Sequence, residues 1–492
     1  VPLGLREPLL MDAPLAREVI ARHASELITN TRDYVWIRPE DGLIILRPNR
    51  LHYLNATAVE MLGMLYDDPQ GPDAYRVVEH MVARYGVSAE NVWADLDKLL
   101  NALQALLNDN LCSEAVEVMP FGTHKRTLPV LSEIALTYRC NNRCTFCYAD
   151  APRRASAVPE MSTAQVKRVI DRICDEAHCP TLSFTGGEPT LRDDLPELVA
   201  YAADKRMRVN LITNGVKLAD AAYCQTLAAA GLDSAQVSVE GGSAVVHDAI
   251  TRHPGTWECA TAAVHNLRAV HVHTHTNTTV CGGNRDHLDA LVDYIADELH
   301  SEYFSMNMVI RTGTALDHAE DDIRYRDIGP IIDHVQAYAE AKGTRLVWYS
   351  PVPYCMYNPV QAGLGGKSCA CVDGLISVNP SGELLPCSSF ERGIGSLLVR
   401  SFDEVWNSRS ALYWRRKEFL PPVCRGCEMS HICCGACPLY WQQRGGFDEL
   451  DGLAPGCPTW RQVPWRVKHK LLSGTWGVGL GRARGGATAD DE

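Results

Sequence analysis

The sequence predicts an α/β protein built on a partial barrel of six strand–helix units. A small winged-helix-like α+β module precedes the barrel, and an irregular cysteine-rich segment follows it. Three observations predict this. Between about 128 and 345, six apolar strand-like runs alternate with helical stretches, the pattern of a parallel sheet with crossover helices. Between 25 and 115, three short strand patterns lead into three amphipathic helical ones. Ten of the nineteen cysteines fall between Cys355 and Cys457, in a stretch too rich in Gly, Pro and Cys for regular layers. At 492 residues the chain is also too long for one ordinary core.

In the first region, Tyr34-Val35-Trp36-Ile37 and Leu43-Ile44-Ile45-Leu46 read as strands around a Pro39-Glu40-Asp41-Gly42 turn, and His52-Tyr53-Leu54 as a third. Asn55 is a good N-cap for a helix carrying Val59, Leu62 and Leu65. Val77, Met81 and Tyr85 mark a second helix. Val92, Leu96, Leu99, Leu100, Leu103 and Leu107 mark a third. In the second region the strands are Ile134–Leu136, Thr181–Phe184, Val209–Ile212, Ala235–Val239, His273–Val280 and Tyr303–Ile310. An open doubly wound sheet is the alternative to a partial barrel. The segment 350–470 has little regular patterning, so bound metal is the expected source of its stability. The Gly/Arg-rich tail 473–492 is expected to be disordered.

Charge and hydropathy narrow the function. The net charge is −13, and the winged-helix-like region 25–112 is itself acidic, which argues against a nucleic-acid binder. No apolar run is long enough for a membrane span. The opening residues Val1-Pro2-Leu3 lack the basic-then-apolar pattern of a secretory signal, so a cytoplasmic location is expected. In that compartment clustered cysteines point to metal or catalytic sulfur rather than disulfides. Cys112, Cys174, Cys179, Cys224, Cys259 and Cys281 are scattered through apolar segments and read as small buried hydrophobes.

Cys140-x3-Cys144-x2-Cys147 directly follows the first barrel strand. Three thiolates can hold three irons of a [4Fe–4S] cluster and leave the fourth open to a small molecule. A zinc site short of one ligand is the alternative. One unit later the strand ending at Phe184 runs into Thr185-Gly186-Gly187-Glu188-Pro189. There the glycines would let the backbone approach a ligand closely, and the carboxylate would accept from an ammonium.

Cys140-Asn-Asn-Arg-Cys144-Thr-Phe-Cys147, with an aromatic residue before the last cysteine, resembles the signature of the radical S-adenosylmethionine (SAM) superfamily. The resemblance implies a cluster on these three cysteines. It implies SAM chelated to the open iron, with Gly186, Gly187 and Glu188 at its amino group and Ser238 and Glu240 near its ribose and carboxylate. Relatives often carry Asp where Glu240 stands. Thr213-Asn214-Gly215 also resembles the superfamily, but a turn is its first reading.

The later cysteines resemble the SPASM domain of a radical SAM subfamily: Cys371, Gly382 and Cys387, then Cys424-x2-Cys427-x5-Cys433-x3-Cys437, then Cys457. That resemblance implies two auxiliary [4Fe–4S] clusters. One would take Cys371, Cys387 and Cys437, the other Cys424, Cys427, Cys433 and Cys457. Cys355 and Cys369 are both candidates to complete the first. Cys369 lies only two residues from Cys371, so Cys355 is preferred, and Cys434 is read as a bystander.

Residues 27–112, with Tyr53-Leu54-Asn55-Ala56-Thr57-Ala58 as the best stretch, resemble the peptide chaperone of pyrroloquinoline quinone biosynthesis. Such modules, called RiPP recognition elements, bind the leader of a ribosomally made precursor peptide. The mode is strand addition beside strand 50–54 and helix 89–107.

Together these resemblances imply a radical SAM enzyme that modifies a leader-bound precursor peptide, with carbon–carbon or thioether cross-linking the expected outcome. An electron donor such as flavodoxin or ferredoxin is expected; nucleic acid and membrane are not. No catalytic acid or base is legible. Modification of a non-peptide cofactor such as a tetrapyrrole, and a zinc-stabilised peptide-binding regulator without catalysis, are the alternatives.

Overall fold

The computed structural model describes residues 13–46, 50–108, 127–451 and 453, and the chain divides into two compact units. The tail 473–492, Cys112 and Cys457 lie outside the described residues.

In the first unit, helix α1 (Ala13–Thr31) precedes strands β1 (Val35–Arg38), β2 (Leu43–Leu46) and β3 (Arg50–Tyr53). Helices α2 (Ala56–Asp67), α3 (Ala74–Tyr85) and α4 (Ala89–Leu107) follow. Helix α1 is not anticipated from the sequence, because it buries only a narrow stripe, with Ala24 and Ile28 fully covered. The strands form an antiparallel sheet in the order β1-β2-β3, which leaves β3 at an edge. Gly42 closes the β1–β2 turn at φ +69°, a conformation that favours glycine. The expected N-cap forms: the Asn55 side chain accepts from the Ala58 N–H at 2.8 Å. Asp73 and Ser88 cap α3 and α4 in the same way. Leu62, Leu65, Leu96 and Leu100 are fully buried and fill the space between sheet and helices.

The second unit begins with β4 (Leu131–Thr137), α5 (Ala151–Arg154), α6 (Thr163–Asp171), β5 (Thr181–Gly186), α7 (Leu195–Asp204) and β6 (Arg208–Thr213). It continues with α8 (Ala221–Ala229), β7 (Ser234–Ser238), α9 (Ala244–Thr251), α10 (Thr256–Ala269) and β8 (His273–Val280). Then come α11 (Leu288–Asp293), β9 (Tyr303–Met308), α12 (Tyr325–Ala341) and β10 (Arg345–Trp348). Strands β4 to β10 are all parallel and stand in chain order. A doubly wound sheet reverses its strand order at a switch point; this one does not, which is the winding of a barrel.

The sheet alternates as such a winding requires. Leu182, Phe184, Val209, Leu211, Ala235 and Val237 are fully buried. The intervening positions are polar and bond to one another. Asn210 Nδ2 donates to Ser183 Oγ at 3.2 Å, Ser234 Oγ to Asn210 Oδ1 at 2.9 Å, and Asn277 Nδ2 to Asn307 Oδ1 at 2.9 Å.

The cysteine-rich segment is more regular than its composition predicts. Strand β11 (Leu375–Val378) pairs parallel with β4, and β12 (Glu383–Leu385) and β13 (Gly395–Ser396) extend the same sheet antiparallel. Short helices α13 (Phe402–Trp406), α14 (Arg409–Arg415), α15 (Ser430–Cys433) and α16 (Pro438–Arg444) complete it. The strands were hidden because each spans only two to four residues.

Candidate active site

The residues expected to act together leave the C-terminal ends of successive parallel strands, the rim where parallel α/β sheets place their chemistry. The first is the loop after β4 that carries Cys140, Cys144 and Cys147. The chain after β5 packs directly onto it. Gly187 N donates to Thr137 O at 2.7 Å and Glu188 N to Arg139 O at 2.8 Å. Gly186 sits at φ +144°, and a Cβ there would stand 2.2 Å from Thr137 O; one on Gly187 would stand 2.3 Å from Arg139 O. The two glycines are thus needed first for backbone to approach backbone, bringing the end of β5 against the cysteine loop.

Glu188 is fully buried, and its carboxylate is already engaged. Oε1 accepts from Thr190 N (3.1 Å), Thr190 Oγ1 (2.6 Å) and Thr213 Oγ1 (2.8 Å), and Oε2 accepts from Asn214 N (2.8 Å). The side chain expected at an ammonium group is also the anchor between the ends of β5 and β6. Burial pushes its carboxyl up, and these donors oppose that shift. The Thr213-Asn214-Gly215 turn does more than turn: Asn214 Nδ2 reaches Cys140 Sγ at 3.7 Å and Asn141 Oδ1 at 2.7 Å.

Two further elements fix the cysteine loop. From α9, Thr251 O accepts from Arg143 N at 2.9 Å and Ile250 O from Thr145 N at 3.0 Å. Beyond β9, Thr314 Oγ1 accepts from Cys147 N at 2.7 Å and donates to Cys144 O at 2.8 Å. A Cβ on the preceding Gly313 would stand 2.1 Å from Cys147 O. Gly313 and Thr314 escape sequence reasoning, and Asn214 is read there only as part of a turn, because their partners lie far along the chain. The Thr-Asn-Gly and Thr-Gly-Thr runs just past strand ends are the only local signal.

At the end of β7, Ser238 pairs with Asn277, and Glu240 is buried with Oε2 accepting from Thr279 N at 2.8 Å. Burial pushes the Glu240 carboxyl up to about 8. His247 Nδ1 accepts from Glu240 N at 3.0 Å, and burial pushes that imidazole down to about 4, so it stays neutral with its proton on Nε2. Arg311, just past β9, has a buried Nε with no partner among the described residues.

The donor set fits an iron–sulfur cluster. Burial pushes the Cys140 thiol up to about 12 and the Cys144 thiol well above its ordinary range; Cys147 raises both further, and Cys140 also raises Cys144. Three thiolates can stand together here only beside compensating positive charge, which iron supplies. Among the described residues no three His, Cys, Asp or Glu side chains converge on a single metal ion.

In the cysteine-rich segment, Cys369 Sγ lies 3.2 Å from Cys371 Sγ, Cys371 bonds to Cys387, and Cys437 interacts with both Cys369 and Cys387. The span to Cys371, on which Cys355 was preferred, therefore does not keep Cys369 from this group. Cys369 and Cys371 are buried with Ala370 exposed between them, so the chain is extended and side chains two residues apart share a side. The Cys371 contact, helped by Lys417, pushes the Cys369 thiol down to about 7, and Lys417 Nζ donates to Cys369 O at 2.9 Å. Cys434, read as a bystander, has φ +53°, and Lys417 and Cys369 both act on its thiol. Cys433 interacts with Cys424 and accepts from Tyr354 N at 3.3 Å, which places Cys355 next in chain to that second group. Cys427 N donates to Cys424 O at 3.1 Å. Tyr325, at the start of α12, accepts from Cys437 N at 3.1 Å and ties the barrel to the first group. Of the scattered cysteines, Cys174, Cys179, Cys224 and Cys281 are buried as expected, and Cys259 is half-buried.

Residues 134–295 match the Radical SAM superfamily, and residues 369–428 match the SPASM iron–sulfur cluster-binding domain. The protein is therefore an enzyme of the radical SAM class, with [4Fe–4S] clusters and SAM as its cofactors. It resembles the superfamily's peptide maturases.

Among curated relatives, it is 29% identical over 323 residues to a PqqA peptide cyclase of Rhizobium meliloti, covering 64% of this chain and 84% of that one. It is 27% identical over 320 residues to an AdoMet-dependent heme synthase of Nitratidesulfovibrio vulgaris, covering 61% and 85%. Among solved structures, Streptococcus suis SuiB bound to precursor peptide SuiA shares the fold, with a TM-score of 0.61 at 14% identity over 84% of this chain and 96% of that one. No helix among the described residues is long and apolar enough to cross a membrane.

Proposed function

We propose that the enzyme modifies a ribosomally made precursor peptide. Residues 25–115 dock its leader, residues 128–345 carry the radical chemistry, and residues 350–470 hold auxiliary clusters. The observation that carries this reading is the first unit: a three-stranded sheet with β3 at its edge, beside α4, attached to a radical SAM chain. An extended leader adds to such an edge through main-chain hydrogen bonds and lays apolar side chains against the helix. Two likenesses support the reading. PqqA peptide cyclases recur among the relatives, and the likeness to peptide-bound SuiB covers more of this chain than the second unit can supply.

In this reading Cys140, Cys144 and Cys147 bind the cluster that holds SAM. Cys369, Cys371, Cys387 and Cys437 bind one auxiliary cluster, and Cys424, Cys427, Cys433 and Cys457 the other. SAM bound there would, on reductive cleavage, supply a 5′-deoxyadenosyl radical able to take a hydrogen atom from the peptide. The protein orients and shields. The Gly186–Gly187 backbone and Glu188 face the SAM amino group, Ser238 and Glu240 lie toward its ribose and carboxylate, and Arg311 Nε is a donor for that carboxylate. The polar inner face around Asn210, Asn277 and Asn307 receives the peptide. Closure of the resulting substrate radical to a carbon–carbon or thioether cross-link would release one proton and one electron, the electron passing to the auxiliary clusters, with a flavodoxin or ferredoxin in the cytoplasm as the source of the electron that cleaves SAM.

The test is anaerobic turnover of the reconstituted enzyme with SAM, dithionite and the peptide encoded by a short reading frame beside the gene. The expected result is 5′-deoxyadenosine together with a peptide lighter by the hydrogens lost in the cross-link. The heme synthase relatives favour a second reading, a tetrapyrrole substrate. Turnover of a tetrapyrrole with the peptide left intact would establish that reading instead.

A further inference from the structure

We infer that Asn214 is a positioning residue of the SAM-binding cluster: its side-chain amide donates to the Cys140 sulfur and raises the reduction potential of the cluster bound there, and Glu188 is the buried anchor that aims it. The inference rests on the reading that Cys140, Cys144 and Cys147 bind that cluster. Both side-chain polar atoms and the backbone N–H of Asn214 are committed. Nδ2 donates to Cys140 Sγ at 3.7 Å and to Asn141 Oδ1 at 2.7 Å. Oδ1 accepts from Val216 N at 3.0 Å, and the backbone N–H goes to Glu188 Oε2 at 2.8 Å. A flipped amide would set its NH2 against the Val216 N–H, so the orientation follows from the network.

Glu188 cannot drift either, since Thr190 and Thr213 hold Oε1. Behind the turn, Gly215 at φ +79° lies so close to α10 and β7 that a Cβ would meet Ala260, Ala263 and Val237 at 3.1 Å. The three thiolates are not equivalent. Cys147 takes its N–H···S bonds from the backbone of Ala151, Ala149 and Asp150. Cys140 takes one from the Asn142 backbone at 3.4 Å and one from the Asn214 amide, carried in from another strand. Hydrogen bonds to cluster sulfur favour the more negative, reduced state, and such outer partners set both potential and retention.

The experiment is an EPR-monitored redox titration of anaerobically reconstituted wild type, Asn214→Ala and Asn214→Asp, with iron and sulfide measured on each. The cluster is identified as the one whose signal changes when SAM is added. Asn214→Asp keeps the side-chain size and the acceptor for Val216 N, but sets a carboxylate oxygen where the donor stood. The expected order of midpoint potential is wild type, then Asn214→Ala, then Asn214→Asp. At a fixed potential the reduced fraction should fall about tenfold in Asn214→Asp. Unmoved potentials in iron-loaded variants overturn this inference alone. If neither variant retains the cluster, Asn214 is a structural part of the loop and the inference is overturned. If wild type carries no iron at Cys140, Cys144 and Cys147, the reading of the site fails instead.

Discussion

Thr314 and Cys147 meet across 167 residues of chain: the Thr314 hydroxyl accepts the Cys147 N–H at 2.7 Å and passes its own proton to Cys144 O at 2.8 Å. One side chain beyond β9 thus sets the spacing of two of the three cysteines that follow β4. Thr314→Val keeps the shape and removes both bonds, at a cost of about 1–3 kcal/mol for buried groups left unpaired. We expect the variant to fold, to bind less iron at this site, and to lose the cluster severalfold faster under chelator, while Thr314→Ser behaves as wild type. Iron content and the chelation time course check this.

The approach of Cys369 to Cys371 yields a second prediction. Cys369→Ala removes a sulfur lying 3.2 Å from Cys371, so it should lower iron by one cluster's worth and leave SAM cleavage intact. Cys355→Ala should leave that cluster in place. Mössbauer spectra and iron counts of the two variants separate the assignments.

A third concerns pH. His275, on the polar face of the barrel sheet, donates from Nε2 to Gln236 Oε1 at 3.3 Å, and its Nδ1 is buried without a partner among the described residues. Burial, with the neighbouring His273 adding to it, pushes its imidazole down to about 4. A depressed folded value means the unfolded chain binds the extra proton first. The stability is therefore present above the unfolded value near 6.5 and is lost as pH falls toward 4. His275→Gln should lose about 1–2 kcal/mol less than wild type between neutral pH and that lower limit. Urea unfolding across that range measures it.

The sequence made visible what is local. Cys140-x3-Cys144-x2-Cys147, Gly186-Gly187-Glu188 and the Asn55 cap each depend on residues within a few positions, and period-two and helical patterns located the barrel strands. What it hid is tertiary. The Thr314 clamp and the Asn214 donor depend on strands that meet only after the sheet winds. Nor does the sequence show the four protein donors that converge on Glu188. Cys369 was passed over on span alone, although two residues apart on an extended chain is the spacing that puts side chains together. Strands as short as β12 and β13 carry too few residues for alternation to register.

The central claim, leader-guided peptide modification, is tested most directly by comparing the full chain with a variant lacking residues 1–115. Peptide mass and 5′-deoxyadenosine are measured in the same anaerobic reactions. The radical machinery lies within the second compact unit, so SAM cleavage by dithionite-reduced enzyme should persist in the truncated protein. On the proposed reading, docking the leader would hold the core peptide at an effective concentration of about millimolar, so its loss should abolish turnover of the full leader–core peptide at micromolar concentration. Leader supplied in trans should not restore it, because the docking surface is gone. A truncated enzyme that modifies the peptide at the wild-type rate would contradict the account and leave the tetrapyrrole reading in its place.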